Sequence, residues 1–328
     1  MISAPAKPII LTETARPLIR RREIHFNDRL FYYGLKGAAW GVVLLLLAMI
    51  LVIAHMAWPA IQVFGAKFFT NQEWNSYTQE FGALALIHGT LMTSLVALIL
   101  AVPVGVGVAL FLNELAPLWL SRPIGFIVEM LAAIPSIVYG LWGLFVLAPF
   151  LRVYIQPWLS EHLGWLPIFK GPPIGVGLMA AGVVLAIMIT PTIAAISREV
   201  FRSIPNTHRE AALGIGATRW EMIRLAVLKT GFSGIVGAVI LGLGRALGET
   251  MAVTMVIGNS VNVNWSLFAP GQTMASILAN QYAEADNELH LSALTAVGLA
   301  LFALSLLING SARFVVWRVE RRFAKGAS

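Results

Sequence analysis

Six apolar stretches, each long enough to cross a lipid bilayer, set the terms for everything this chain can fold into. They run at about 37–58, 84–112, 123–150, 174–197, 229–258 and 291–316. The hydrocarbon core of a bilayer is about 30 Å thick and takes roughly 20 apolar residues in helical form. Inside it every backbone N–H and C=O must be satisfied within the protein, so such stretches become α-helices. Composition agrees, with 58% of residues hydrophobic and 12% charged, against about 25% charged in soluble domains. Pro103, Pro135 and Pro191 fall inside spans, where neighbouring helices re-satisfy the freed backbone groups. The expected fold is an all-α integral membrane protein with six transmembrane helices.

The net charge of +7 would suggest nucleic acid in a soluble protein. Here the bases sit outside the apolar runs, so the expected environment is a lipid membrane and no nucleic acid is expected as a partner. Alternating from a cytoplasmic N-terminus, inner segments hold seven Lys and Arg (1–36), one (113–122), six (198–229) and five (313–328). Outer segments hold only Lys67, Arg152 and Lys170. Basic residues concentrate on the cytoplasmic side of membrane proteins, so both termini are expected there. The domain plan is an N-terminal cytoplasmic segment (1–36), a transmembrane domain (37–316) with an inner loop at 198–229, and a C-terminal tail (317–328). The first apolar run lies too late for a cleavable signal and reads as a retained span. Before it, RRREIHFNDRLFYYGLK (20–36) suits an interfacial helix or a solvated tail equally. The tryptophans near span ends read as interface anchors. SILANQYAEADNELH (276–290) reads as a solvated loop or a surface helix. With no cysteine there is no disulfide and no thiolate metal site.

The inner loop, REVFRSIPNTHREAALGIGATRWEMIRLAVLK, predicts helix–turn–helix. Pro205 ends one helix, Asn206 or Thr207 is placed to cap the next, and Gly214 and Gly216 make a turn. Thr218 with Glu221 three residues on is a capping-box pattern. Ala211 and Ala212 give a small-residue face against which another protein's backbone fits closely.

One stretch breaks the apolar rule. GLGRALGETM (242–251) places Arg245 and Glu249 halfway along the fifth span, where a charge costs on the order of 3 kcal/mol by insertion scales. On a continuous helix their four-residue spacing puts them one turn apart and able to pair, with Gly244 and Gly248 forming an adjacent packing strip. An ion pair that locks two helices is one reading. A solute path is the other: arginine's planar fork grips oxyanions, and a carboxylate nearby accepts the O–H of hydrogen phosphate, which sulfate lacks.

These residues carry a family resemblance. EAALGIG is similar to the EAA loop of ATP-binding-cassette (ABC) importer permeases, with Glu210, Ala211, Ala212 and Gly216 at the family spacing. The later Ile-x-Leu-Pro of that loop is matched only by Leu228 in Ala226–Lys229. GLGRALGETMAV, NELAP (113–117), MLAAIPSIVYGLWGLF (130–145), LAIMITP (185–191) and EADNELH (284–290) resemble PstC-type permease subunits of phosphate importers. The resemblance spans most of the chain beyond the N-terminal 36 residues. It implies a type I importer permease (MetI-like) fold in a bacterial inner membrane, conducting inorganic phosphate. It also implies a second, homologous PstA-type permease, two PstB-type ATPase subunits and an extracytoplasmic PstS-type phosphate-binding protein. No cofactor is expected in this chain, because ATP and Mg would be bound by the partner ATPases and no GxxxxGK[ST] occurs here. Arg245 and Glu249 would line the path, and Glu210 to Gly216 would seat in the ATPase.

Rival readings at this stage are a proton-coupled phosphate carrier, an importer of another oxyanion (sulfate, molybdate or phosphonate), and a membrane enzyme with Glu249 as general base. Glu129 is a path or gate residue, or a helix-paired carboxylate. Asn113 and Glu114 read as a turn, and His55 and His88 as interfacial.

Overall fold

A computed structural model describes residues 26–325. The chain divides at Ile50/Leu51 into two units. The described part of the first is the opening stretch of helix α1, Phe26–Phe64. Of the basic–aromatic segment at 20–36, residues 20–25 lie outside the described residues, and from Phe26 onward the chain is already part of this helix.

The second unit continues with a two-stranded hairpin, β1 (Trp74–Asn75) and β2 (Glu80–Phe81). Then come α2 (Leu84–Leu115), α3 (Leu118–Ala132), α4 (Ser136–Leu163) and α5 (Leu178–Ser203). The inner loop supplies α6 (Asn206–Gly214) and α7 (Arg219–Leu228), followed by α8 (Phe232–Leu247) and α9 (Met251–Val256). Last are α10 (Met274–Gln281) and α11 (Glu288–Lys325). Among the described residues five helices are long and apolar enough to cross a membrane, or six if α7 and α8, bent by 70°, count as one span. The all-α membrane fold stands.

Helix α5 is the centre of the core. Small residues let its neighbours approach, which matters because lipid gives helices no hydrophobic reason to associate and contact packing must do so. A Cβ on Gly182 would lie 2.5 Å from Val96 of α2, and one on Gly105 would lie 3.0 Å from Ile193. Both numbers rise together along the two helices, so α2 and α5 run parallel. On the other side Gly234 lies against Val200 and Gly242 against Ile193, so α8 runs antiparallel to α5. Leu185, Ile189, Val253, Val256 and Phe268 fill the space between.

Two expectations need correction. The third span is not 123–150: Pro135 breaks it, leaving α3 as a separate helix, and the apolar span is Ser136–Leu163. Residues 276–290 are a loop only in their middle: 276–281 belong to α10 with Ser276 and Ile277 buried, whereas 282–288 are exposed or half-buried. From 317 onward the described residues continue α11 as far as Lys325.

Candidate functional site

The fifth span holds the largest departure. Helix α8 stops at Leu247, and Gly248, Glu249 and Thr250 form a break before α9 starts at Met251. Glycine costs about 1 kcal/mol in a helix interior relative to alanine, and Glu249 offers the next helix a cap. Its Oε1 accepts the Ala252 N–H at 3.2 Å, placing negative charge at a helix N-terminus where the peptide dipoles favour it. Arg245 and Glu249 therefore do not sit one turn apart on a continuous helix. No ion pair within 4.0 Å joins them among the described residues.

The packing strip also moves. The face of α8 that meets α5 is Ala238, Gly242 and Ala246, all buried. Gly244 has nothing within 4 Å of an added Cβ, and Gly248 has only the Gly244 carbonyl at 3.7 Å. With Gly237 and exposed Leu241 they form an open face. Half-buried Arg245 stands on the border between the two faces.

Depth follows from register. Gly242 lies against Ile189 and Ile193, the middle of α5, and Arg245 is one turn beyond. The second break, at Pro135, approaches the same place. Tyr139 on α4 bridges it by donating to the Leu131 carbonyl at 2.9 Å. Gly140 lets α4 close on α9, where a Cβ would lie 2.7 Å from Met255 Sδ and 3.0 Å from Ala252 Cα. Two interrupted helices thus bring a guanidinium, a carboxylate and a phenol towards the core's mid-depth.

The inner loop forms helix–turn–helix. Glu210 and Ala211 on α6 are exposed and Ala212 is half-buried. Gly216 turns the chain at φ +88°, a left-handed conformation open to glycine. The Thr218–Glu221 capping box forms: Thr218 Oγ1 accepts the Glu221 N–H at 3.3 Å, and Glu221 Oε2 accepts the Thr218 N–H at 2.8 Å. The start of α6 differs, with Pro205 in the cap position and no side-chain cap from Asn206 or Thr207.

Sequence reasoning missed what fixes this loop. Glu114, taken for a turn residue, is buried and receives Arg209: Nη2 at 2.7 Å from Oε1 and Nε at 3.2 Å from Oε2. The signals were a single carboxylate at an apolar span's end and an arginine just before Glu210. Glu129 is helix-paired, with Oε1 3.7 Å from Arg198 Nη1. Buried Arg198 also donates to the Ser121 carbonyl at 3.1 Å.

Comparison with known proteins decides the class. A family profile, binding-protein-dependent transport system inner membrane component, matches residues 101–321. The chain belongs to that family. Members are multi-pass inner-membrane parts of ABC transporters, so this chain is a transport component. It is 46% identical over 305 residues to the phosphate transport system permease protein PstC of Mesorhizobium japonicum, covering 92% of this chain and 93% of that one. It is equally similar to PstC of Pasteurella multocida, 46% over 302 residues (91% and 94%). To PstC 2 of Mycobacterium tuberculosis it is 41% identical over 324 residues (96% and 98%). Among solved structures it resembles a bacterial alginate ABC transporter in complex with an alginate pentasaccharide-bound periplasmic protein. There the TM-score is 0.60 at 16% identity, covering 90% of this chain and 98% of that one. That likeness supports the importer-permease fold.

Proposed function

We infer that this chain is the transmembrane permease subunit of an ATP-driven importer of inorganic phosphate and forms half of its translocation path. The close similarity to phosphate permeases supports the substrate. One structural observation supports the path: the open glycine face of α8 is bordered by Arg245, which has no carboxylate within 4.0 Å among the described residues. Lipid is a costly cover for a guanidinium near mid-depth. A second permease subunit of PstA type, with an aqueous path between the two, suits it better. Arg245 would grip the oxyanion through parallel charge-assisted hydrogen bonds, and Glu249 would accept a proton-bearing oxygen.

The exposed α6–Gly216–α7 turn would seat in a cytoplasmic ATPase, two copies of which (PstB type) would bind ATP and Mg. This chain itself would hold no cofactor and hydrolyse nothing. An extracytoplasmic PstS-type binding protein would deliver phosphate. An exposed socket of this kind favours ATP over a proton gradient as the energy source. The test is Arg245→Ala in the full complex reconstituted in liposomes. Assembly is expected to persist while ATP-driven phosphate uptake is lost; loss of assembly instead would make Arg245 a structural residue and overturn its role in the path.

A further inference from the structure

We propose that Arg209 and Glu114 form the joint that makes the socket helix α6 move as one body with the inner ends of α2 and α5. The proposal rests on the reading of α6 as the ATPase contact. Arg209 uses its whole guanidinium edge. Nε and Nη2 both reach Glu114, at 3.2–3.3 Å and 2.7 Å. Nη2 also donates to the Phe201 carbonyl at 2.8 Å, and Nη1 to the Ile204 carbonyl at 2.7 Å. Phe201 lies in the last turn of α5, past the end of the helix's own i→i+4 ladder, where its carbonyl otherwise accepts only the Ile204 N–H at 3.4 Å. One side chain on α6 therefore closes the end of α5 and grips the last turn of α2. Glu114 is held in turn by Asn113 Nδ2 at 2.7 Å, and the side chains of Glu114 and Arg209 are only 4% and 15% exposed.

Burial and geometry give the joint its stiffness. A paired charge screened from water holds its partner more strongly than a surface pair, and a planar fork bound at several points resists rotation. Lysine cannot reproduce this, because its ammonium is a point donor on a flexible stem. Behind the joint, Ala109, Phe201, Ile204, Met222, Ile223 and Val227 form one buried apolar cluster, so there is no soft layer in which motion would dissipate. Helix α5 then lies along α8 through Gly234 and Gly242, and α8 carries Arg245. Arg209 is thus a positioning residue: it touches no substrate, yet displacement of α6 reaches the helix that borders the path.

The test uses the complete complex in liposomes and reads ATP hydrolysed per phosphate transported. Arg209→Lys and Glu114→Gln are each expected to leave the complex assembled and to raise that ratio about tenfold or more. The double variant should be no worse than either single, because both act through one joint. An unchanged ratio, additive effects or loss of assembly would overturn the proposal. A second measurement needs neither substitution. The chain has no cysteine, so spin labels at Leu115→Cys and Thr207→Cys report distance across the joint. One narrow distance, unchanged between nucleotide-free and ATP-bound states, is expected; a distance that shifts with ATP would overturn the joint. Ala211→Asp separates the two readings, since it should abolish ATPase association with the joint intact. If Ala211→Asp is silent, the socket reading fails instead.

Discussion

Glu249 commits one carboxylate oxygen to the Ala252 N–H, which leaves Oε2 as the acceptor that the proposed path requires. Glutamine at this position keeps a carbonyl oxygen for the cap but replaces Oε2 with an NH₂ donor. Hydrogen phosphate brings an O–H that needs an acceptor, whereas sulfate brings none. A site built to accept a substrate hydrogen bond rejects an analogue lacking it far more strongly than a pocket that merely fits shape. Glu249→Gln should therefore reduce discrimination between the two anions by at least about tenfold, read as sulfate competition against phosphate uptake. Unchanged selectivity would remove Glu249 from recognition. The two charges were legible as an anomaly because apolar surroundings make any charge conspicuous. Their relation was not: the four-residue spacing implies a shared face only on an unbroken helix, and Gly248 with a capping carboxylate ends that helix between them.

Elements were legible where local chemistry fixes them and illegible where tertiary contact does. The Thr218–Glu221 capping box is a local pattern, and it forms as the spacing predicts. The separation of α3 from α4 depends on what holds the break, here Tyr139 reaching the Leu131 carbonyl. Helix α10 carries no marker distinguishing burial in protein from exposure at a surface. The grip of Arg209 on Glu114 joins residues 95 positions apart, beyond any spacing rule. Gly216 gives a test at this scale. An added Cβ there meets nothing within 4 Å, yet φ is +88°, so alanine would be opposed by backbone strain alone, about 1–2 kcal/mol. Gly216→Ala should shift the α6–α7 angle and weaken ATPase association severalfold without lowering the yield of folded permease. Titration of detergent-solubilised permease with ATPase subunits measures this, and unaltered affinity would mean the angle does not matter.

At the scale of the whole molecule, the reading requires the hairpin and the socket to face opposite compartments. Helix α2 supplies the ruler. It begins just after the hairpin, at Leu84, and ends at Leu115, beside Arg209 of the socket helix. At 1.5 Å per residue, its 32 residues separate the two features by about 48 Å, more than a hydrocarbon core. By the preference of basic residues for the cytoplasmic side, the nineteen Lys and Arg in 1–36, 113–122, 198–229 and 313–328, against Lys67, Arg152 and Lys170 elsewhere outside the fifth span, predict a cytoplasmic socket. Both ends offer an accessible probe position: Tyr77 at the hairpin tip is 98% exposed and Ile215 at the socket turn 86%. Because the chain is free of cysteine, Tyr77→Cys and Ile215→Cys each create a unique thiol. A membrane-impermeant maleimide applied to intact spheroplasts should label Tyr77→Cys at once and Ile215→Cys only after permeabilisation. Labelling of the opposite pattern would invert the topology. It would then place the α6–Gly216–α7 turn beyond reach of any cytoplasmic ATPase, and the ATP-driven reading would fall with it.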